Sequence, residues 1–159
     1  MKKRAQRPVE IYSDGSVDLH KKFGGYGIIM LFGSKVKKIK SNGYHSTTIA
    51  RMELKAIIHA LEQIKPGFDI YLYSDNKATI DAINKKLEKW LISGDFENKK
   101  NWGLWSKFVS IRDKHLEGGS YISFSWVRGH AGNKYNEISD KLASEASRSR
   151  NKIKCLDDN

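Results

Sequence analysis

The chain predicts an α/β domain: a mixed β-sheet flanked by helices. Three observations carry that expectation. Three strand patterns follow one another closely near the N-terminus, the periodicity turns helical at Thr47, and strand and helix patterns alternate after Pro66-Gly67. Val9 to Ser13 reads as the first strand, with Gly15 breaking it. Tyr26 to Phe32 is the second, ended by Gly33-Ser34, and Lys35 to Ser41 is the third, with Val36 and Ile39 among lysines. Such short connections suit an antiparallel meander.

Ile49, Met52, Glu53, Ala56, Ile57, Ala60, Leu61 and Ile64 then recur at helical spacing until Pro66-Gly67. Ile70 to Ser74 is a short apolar strand. Asn76 to about Ile92 is helical, broken by Ser93-Gly94-Asp95, and a further helix runs from Trp102 to Leu116. Tyr121 to Val127 is the last strand; a loop from Arg128 to Asn133 leads into a final helix from Tyr135 to Ser147. The predicted organisation is one domain over 9–147, a basic arm over 1–8, and a polar, fraying tail over 148–159.

Composition narrows the function classes. Lys and Arg number 29 against 18 Asp and Glu, a formal charge of +11. That excess attracts polyanions, nucleic acid or an anionic membrane surface. No apolar run has the length of a membrane span, and no apolar stretch follows the basic N-terminus as a signal peptide requires. The single cysteine, Cys155, excludes a disulfide framework and a cysteine-based zinc site within one chain, which suits a reducing compartment. A soluble, cytoplasmic, monomeric protein is expected.

Two segments look alike: Ile11-Tyr12-Ser13-Asp14-Gly15 and Leu72-Tyr73-Ser74-Asp75-Asn76. In each, an aspartate follows an apolar strand, and α/β sheets bind ligands at the carboxyl ends of their strands. The plainer reading makes Asp14 a turn former and Asp75 a helix cap. Glu53 is more telling, because it lies on the apolar stripe with Ile49, Ala56 and Ile57. A carboxylate is rarely buried there without a basic partner or a metal ion. Asp140, one turn beyond Asn136, would alone pass as a surface residue. Asp14, Glu53, Asp75 and Asp140 are all hard oxygen donors, a set that suits Mg²⁺ or Mn²⁺.

These residues resemble the cellular type 1 ribonuclease H family in its bacterial form. The matching segments are Tyr12-Ser13-Asp14-Gly15-Ser16, Gly24-Gly25-Tyr26-Gly27, Thr47-Thr48, Arg51-Met52-Glu53-Leu54, Ser74-Asp75-Asn76, Trp126 to Gly132, and Asn136-Glu137 with Asp140 following. The resemblance implies a ribonuclease H-like fold, a five-stranded mixed sheet with its second strand antiparallel. It also implies a tetrad of Asp14, Glu53, Asp75 and Asp140 holding two Mg²⁺, which Mn²⁺ can replace. The activity implied is hydrolysis of the RNA strand of an RNA–DNA hybrid, leaving 5′-phosphate and 3′-hydroxyl ends. His130 matches the family's loop histidine, assigned to proton transfer or product release. Thr48, Asn76 and Asn136 would contact the hybrid. Lys85, Lys86, Lys89, Trp90, Lys99 and Lys100 look like the family's basic DNA-strand handle.

The chain departs from the family pattern in three places. Leu19 to Phe23 replaces a glycine- and asparagine-rich turn, Ile49-Ala50 replaces two asparagines, and the handle is shortened after Gly94 and carries Asp95 and Glu97. Three rival readings fit parts of the sequence: a non-cleaving hybrid-binding module, a DNA-cutting or strand-transfer enzyme of the same superfamily, and a basic structural protein. The intact carboxylate set disfavours the first, the Arg-Met-Glu-Leu helix and Gly-His-Ala-Gly loop disfavour the second, and the third leaves Glu53 unexplained.

Overall fold

The computed structural model describes residues 8–156. The basic arm therefore lies, apart from Pro8, outside the described residues, as do the last three of the tail. Seven strands form one sheet: β1 (Pro8–Asp18), β2 (Phe23–Phe32), β3 (Lys35–Lys40), β4 (Gly43–His45), β5 (Asp69–Ser74), β6 (Tyr121–Trp126) and β7 (Lys152–Lys154). The order is β6-β5-β1-β2-β4-β7, with β3 pairing β2 beside β4. β1 and β2 are antiparallel, whereas β1–β5 and β5–β6 are parallel. The expected five-stranded mixed sheet with an antiparallel second strand is present, and β4 and β7 extend it.

Five α-helices lie among the described residues: α1 (Ile49–Glu62), α2 (Lys77–Asp81), α3 (Leu87–Ile92), α4 (Trp102–Glu117) and α5 (Lys134–Ser147). α1 begins at Thr48, whose side chain accepts from Arg51 N–H and so satisfies one of the helix's unpaired first donors. Its buried residues Met52, Ala56, Ile57, Ala60 and Leu61 join Ile11, Ile28, Ile70 and Leu72 of the sheet in the core. α4 packs beside α1, adding Leu104 and Phe108, and the buried His115 donates from Nε2 to Leu61 O at 2.8 Å. No helix among the described residues is long and apolar enough to cross a membrane.

α1 and α5 cover opposite faces of β1 and β2. A Cβ on Gly15 would meet Met52 and Glu53 of α1, whereas one on Gly27 would meet Ser139 and Leu142 of α5. Gly27 pairs with Asp14, and successive strand residues alternate in face. Asp14 therefore points to the α5 side and Gly15 to the α1 side.

Three elements differ from the sequence reading. Gly15 does not break β1, which stays paired with β2 as far as Asp18–Phe23. The glycine is there because α1 crosses so closely: a Cβ would lie 2.9 Å from Glu53 N and from Met52 Cβ. The helix expected from Asn76 to Ile92 contains a π-helical turn at Ala82–Lys86, closed by Leu87 N–H on Ala82 O. The segment after Arg148, expected to fray, returns as β7 beside β4, with Cys155 wholly buried.

Gly15→Ala should lower the unfolding free energy by about 1–3 kcal/mol, the usual cost of forcing a methyl into a packed contact. Urea unfolding should give a lower midpoint with an unchanged slope. A wild-type midpoint would mean that α1 does not bear on Gly15.

Candidate active site

Parallel pairing of β1 with β5 brings the two look-alike segments side by side, with Tyr12 opposite Tyr73 and their rings stacked at 4.9 Å. Asp14 and Asp75 follow at the same end of the two strands. α1 delivers Glu53 over the same point. Oxygens of Asp14, Glu53 and Asp75 all lie within 4.8 Å of one another. Glu53 is 1 % exposed and Asp14 4 %.

The hydrogen bonds around the cluster fix its carboxylates. Gly15 N–H donates to Glu53 Oε1 at 2.9 Å and to Asp14 Oδ1 at 3.0 Å. Ser74 Oγ donates to Glu53 Oε2 at 3.4 Å. Asn136 Nδ2 donates to Asp75 Oδ2 at 3.4 Å, and Trp126 Nε1 holds the Asp75 carbonyl at 3.1 Å. No Lys or Arg forms an ion pair with the three carboxylates among the described residues.

The electrostatic result is strain. Burial, followed by the charges of Glu53 and Asp75, raises the Asp14 pKa far above the ordinary carboxylate range, and hydrogen bonds from the protonated Asp14 to Glu53 and Asp140 add to the rise. Burial also raises Glu53, partly offset by its bonds with Asp14, Gly15 N–H and Ser74. Clustered hard oxygens without a cationic side chain suit a divalent cation, which would offset their repulsion.

The remaining predicted residues separate into three groups. Asp140, half-buried on α5, faces Asp14 but stands outside the tight trio. His130 is exposed, with a left-handed φ of 55°, in the loop between β6 and α5. That loop reaches the site at Gly129, where a Cβ would lie 2.9 Å from Asp75 Oδ2. Asn136 is buried against Asp75, and Asn76 and Thr48 cap α2 and α1. Ile49, counted from the sequence in the inward stripe, is exposed instead at the first turn of α1.

The handle residues surround α3 and the short turn before α4. Lys86, Lys89 and Lys100 are exposed, Lys85 pairs with Asp81 at 3.5 Å, and Lys99 pairs with Asp95 at 3.8 Å. Trp90 is half-buried, edge-on to Trp105, with Lys99 Nζ 5.8 Å from its ring centre. Sequence reasoning missed the supporting roles of Ser74, Gly15 N–H and Gly129. The repeated Tyr-Ser-Asp triplet was the one available signal for Ser74.

Comparison with known proteins identifies the family and the fold. The RNase H family model matches residues 6–148. Ribonuclease H of Trichodesmium erythraeum is 42% identical over 144 residues, covering 87% of this chain and 88% of its own. Ribonuclease HI of Synechocystis is 36% identical over 143 residues, covering 87% and 86%. Among solved structures, a type 1 RNase H with the type 2 active-site motif superposes with TM-score 0.74 at 22% identity, over 92% of this chain and 74% of that one. The N-terminal RNase H domain of a Mycobacterium tuberculosis protein gives 0.63 at 18% identity, over 88% and 98%. At those identities the two structures establish the fold. The chain belongs to the RNase H family, in its bacterial type 1 form.

Asp14→Asn should stabilise the metal-free protein. An acid whose folded pKa is raised above its unfolded value of 3.8 favours folding at acid pH and loses that contribution as pH rises. At neutral pH it is a cost, at about 1.4 kcal/mol per pKa unit. Removing it should raise the unfolding free energy by about 1–3 kcal/mol at pH 7, with a smaller gain near pH 4. Thermal unfolding in EDTA at both pH values measures this. A metal-free variant no more stable than wild type at pH 7 would contradict the strain.

Proposed function

We propose that the domain over 9–147 is an endonuclease that hydrolyses the RNA strand of RNA–DNA hybrids. The carrying observation is the buried trio Asp14, Glu53 and Asp75, with no cationic side chain, in a chain of the RNase H family. Asp14, Glu53, Asp75 and Asp140 would hold two Mg²⁺, or Mn²⁺ in their stead. When bound, the ions supply an activated water for attack on the RNA phosphate and stabilisation of the departing 3′ oxygen, so that products carry 5′-phosphate and 3′-hydroxyl ends.

The chain's own residues orient and bind. Gly15 N–H and Ser74 hold Glu53, and Asn136 holds Asp75, so the free lone pairs converge. His130, on an exposed loop whose Gly129 abuts Asp75, is suited to move a proton or help release product. Thr48, Asn76 and Asn136 would contact the hybrid, and Lys85, Lys86, Lys89, Trp90, Lys99 and Lys100 would supply charge and ring surface for the DNA strand. Binding by backbone and 2′-hydroxyl contacts implies low sequence specificity. The enzyme would act as a cytoplasmic monomer.

Two measurements test the reading. A gel assay should give cleavage of the RNA strand in a hybrid with Mg²⁺, and none of duplex DNA or duplex RNA. Cutting of duplex DNA would favour another nuclease of the superfamily, and binding without cutting would favour a binding module. Asn adopts a left-handed backbone readily, so His130→Asn keeps the loop while removing the proton carrier. Turnover should fall about 10²-fold, the low end for general acid–base help, with the hybrid Kd little changed. Undiminished turnover would remove His130 from the reaction.

A further inference from the structure

The face of the sheet that carries Asp14 and Asp75 also carries a row of tyrosine rings. Tyr12 lies two residues before Asp14 and Tyr73 two before Asp75, so each shares the face of its aspartate. Their rings stack with centres 4.9 Å apart and planes 24° apart. Tyr135, in the first turn of α5, places a third ring 5.5 Å from that of Tyr12, tilted by 39°. Tyr12 is buried in this row, and Tyr73 and Tyr135 are half-buried.

The row matters because α5 must be held at two points. Its middle is fixed by β2, since a Cβ on Gly27 would come within 2.5 Å of Ser139 O and Leu142 Cβ. From Leu142 back to Tyr135 is about 10 Å of helix, and a rod held at one point can swing. Asn136 and Asp140, one turn apart on a shared helix face, lie between the two points. Asn136 donates to Asp75 Oδ2 and Asp140 faces Asp14. The Asn136 bond, at 3.4 Å, is too long to anchor the helix by itself. Asn133 caps α5 by accepting from Tyr135 N–H and Asn136 N–H at 3.1 Å each, which closes the first turn on itself and adds no tie to the sheet. The contact of Tyr135 with Tyr12 supplies that tie.

We propose that Tyr135 is a positioning residue: packed on Tyr12, its ring fixes the first turn of α5 so that Asn136 meets Asp75 and Asp140 meets Asp14 at the spacing a divalent cation needs. The inference rests on the reading of the four carboxylates as metal ligands and deepens it. Tyr73, Tyr12 and Tyr135 give one ring to each of β5, β1 and α5, so the three elements are referenced to one another directly beside the carboxylates they carry. Tyr135 acts through Asn136 and Asp140, so its loss bears on metal affinity rather than on contacts with the hybrid.

Calorimetric titration of the metal-free protein with Mn²⁺ reads this effect without substrate. Tyr135→Ala should weaken Mn²⁺ binding about two- to ten-fold, the factor an aromatic contact contributes to an equilibrium. The Mg²⁺ concentration for half-maximal hybrid cleavage should rise in parallel, with the KM for hybrid at saturating metal unchanged. Tyr135→Phe keeps the ring and should bind Mn²⁺ as wild type does. Tyr135→Leu keeps apolar bulk without a flat ring; it should show part of the loss, and it carries the test should the alanine variant fail to fold. Tyr121→Ala breaks a ring pair with Tyr71, 5.9 Å apart on the same face of the sheet, and should leave Mn²⁺ affinity unchanged. Wild-type affinity in Tyr135→Leu, or an equal loss in Tyr135→Phe or Tyr121→Ala, would overturn the positioning role while leaving metal binding standing. A wild-type protein that binds no Mn²⁺ would instead overturn the metal site on which the proposed function rests.

Discussion

Mutual repulsion among three buried carboxylates is the constraint that the rest of the structure answers to. Two unit charges 4 Å apart repel by about 4 kcal/mol at the effective dielectric typical of proteins. The side chains of Asp14, Glu53 and Asp75 would separate if they could. The sheet prevents it from one side, because parallel pairing of β1 with β5 fixes the two aspartates as neighbours. α1 prevents it from the other, because its contact with Gly15 leaves Glu53 no other place to go. Core burial of Ile11, Leu72, Met52 and Ile57 anchors the elements from which the carboxylates project. Hydrophobic burial of about 1.5–3 kcal/mol for each such side chain is enough to hold a locally unfavourable site in place.

Local hydrogen bonds then set direction rather than relieve charge. Gly15 N–H is shared between Asp14 and Glu53, Ser74 takes the second oxygen of Glu53, and Asn136 takes one oxygen of Asp75. Four carboxylate oxygens are thereby oriented by neutral donors, while none meets a Lys or Arg. A neutral shell leaves the net negative charge in place, and this is what a cation-binding site requires. A basic shell would cancel the attraction. Among the described residues the lysines stand elsewhere, on the turn after β1, along β3, around α3 and near β7.

The sequence made the carboxylates legible because each broke a local expectation. Glu53 interrupts an apolar stripe, and Asp14 and Asp75 end matching Tyr-Ser-Asp segments. Asp140 breaks nothing locally, and only the family resemblance marked it. Its place at the margin of the trio agrees with that weaker signal. The misreadings have the converse cause. Gly15 reads as a strand breaker in the sequence because its true partner, Glu53 of α1, lies 38 residues away in the chain. The π-helical turn leaves no mark in helical periodicity, since Ile80, Ile83 and Leu87, all buried, stand at spacings of three and four that an ordinary helix also produces. The strand β7 was hidden because Lys152-Ile153-Lys154 has too little apolar character to predict pairing. Its pairing depends on β4 and on the buried Cys155, both settled by tertiary contact.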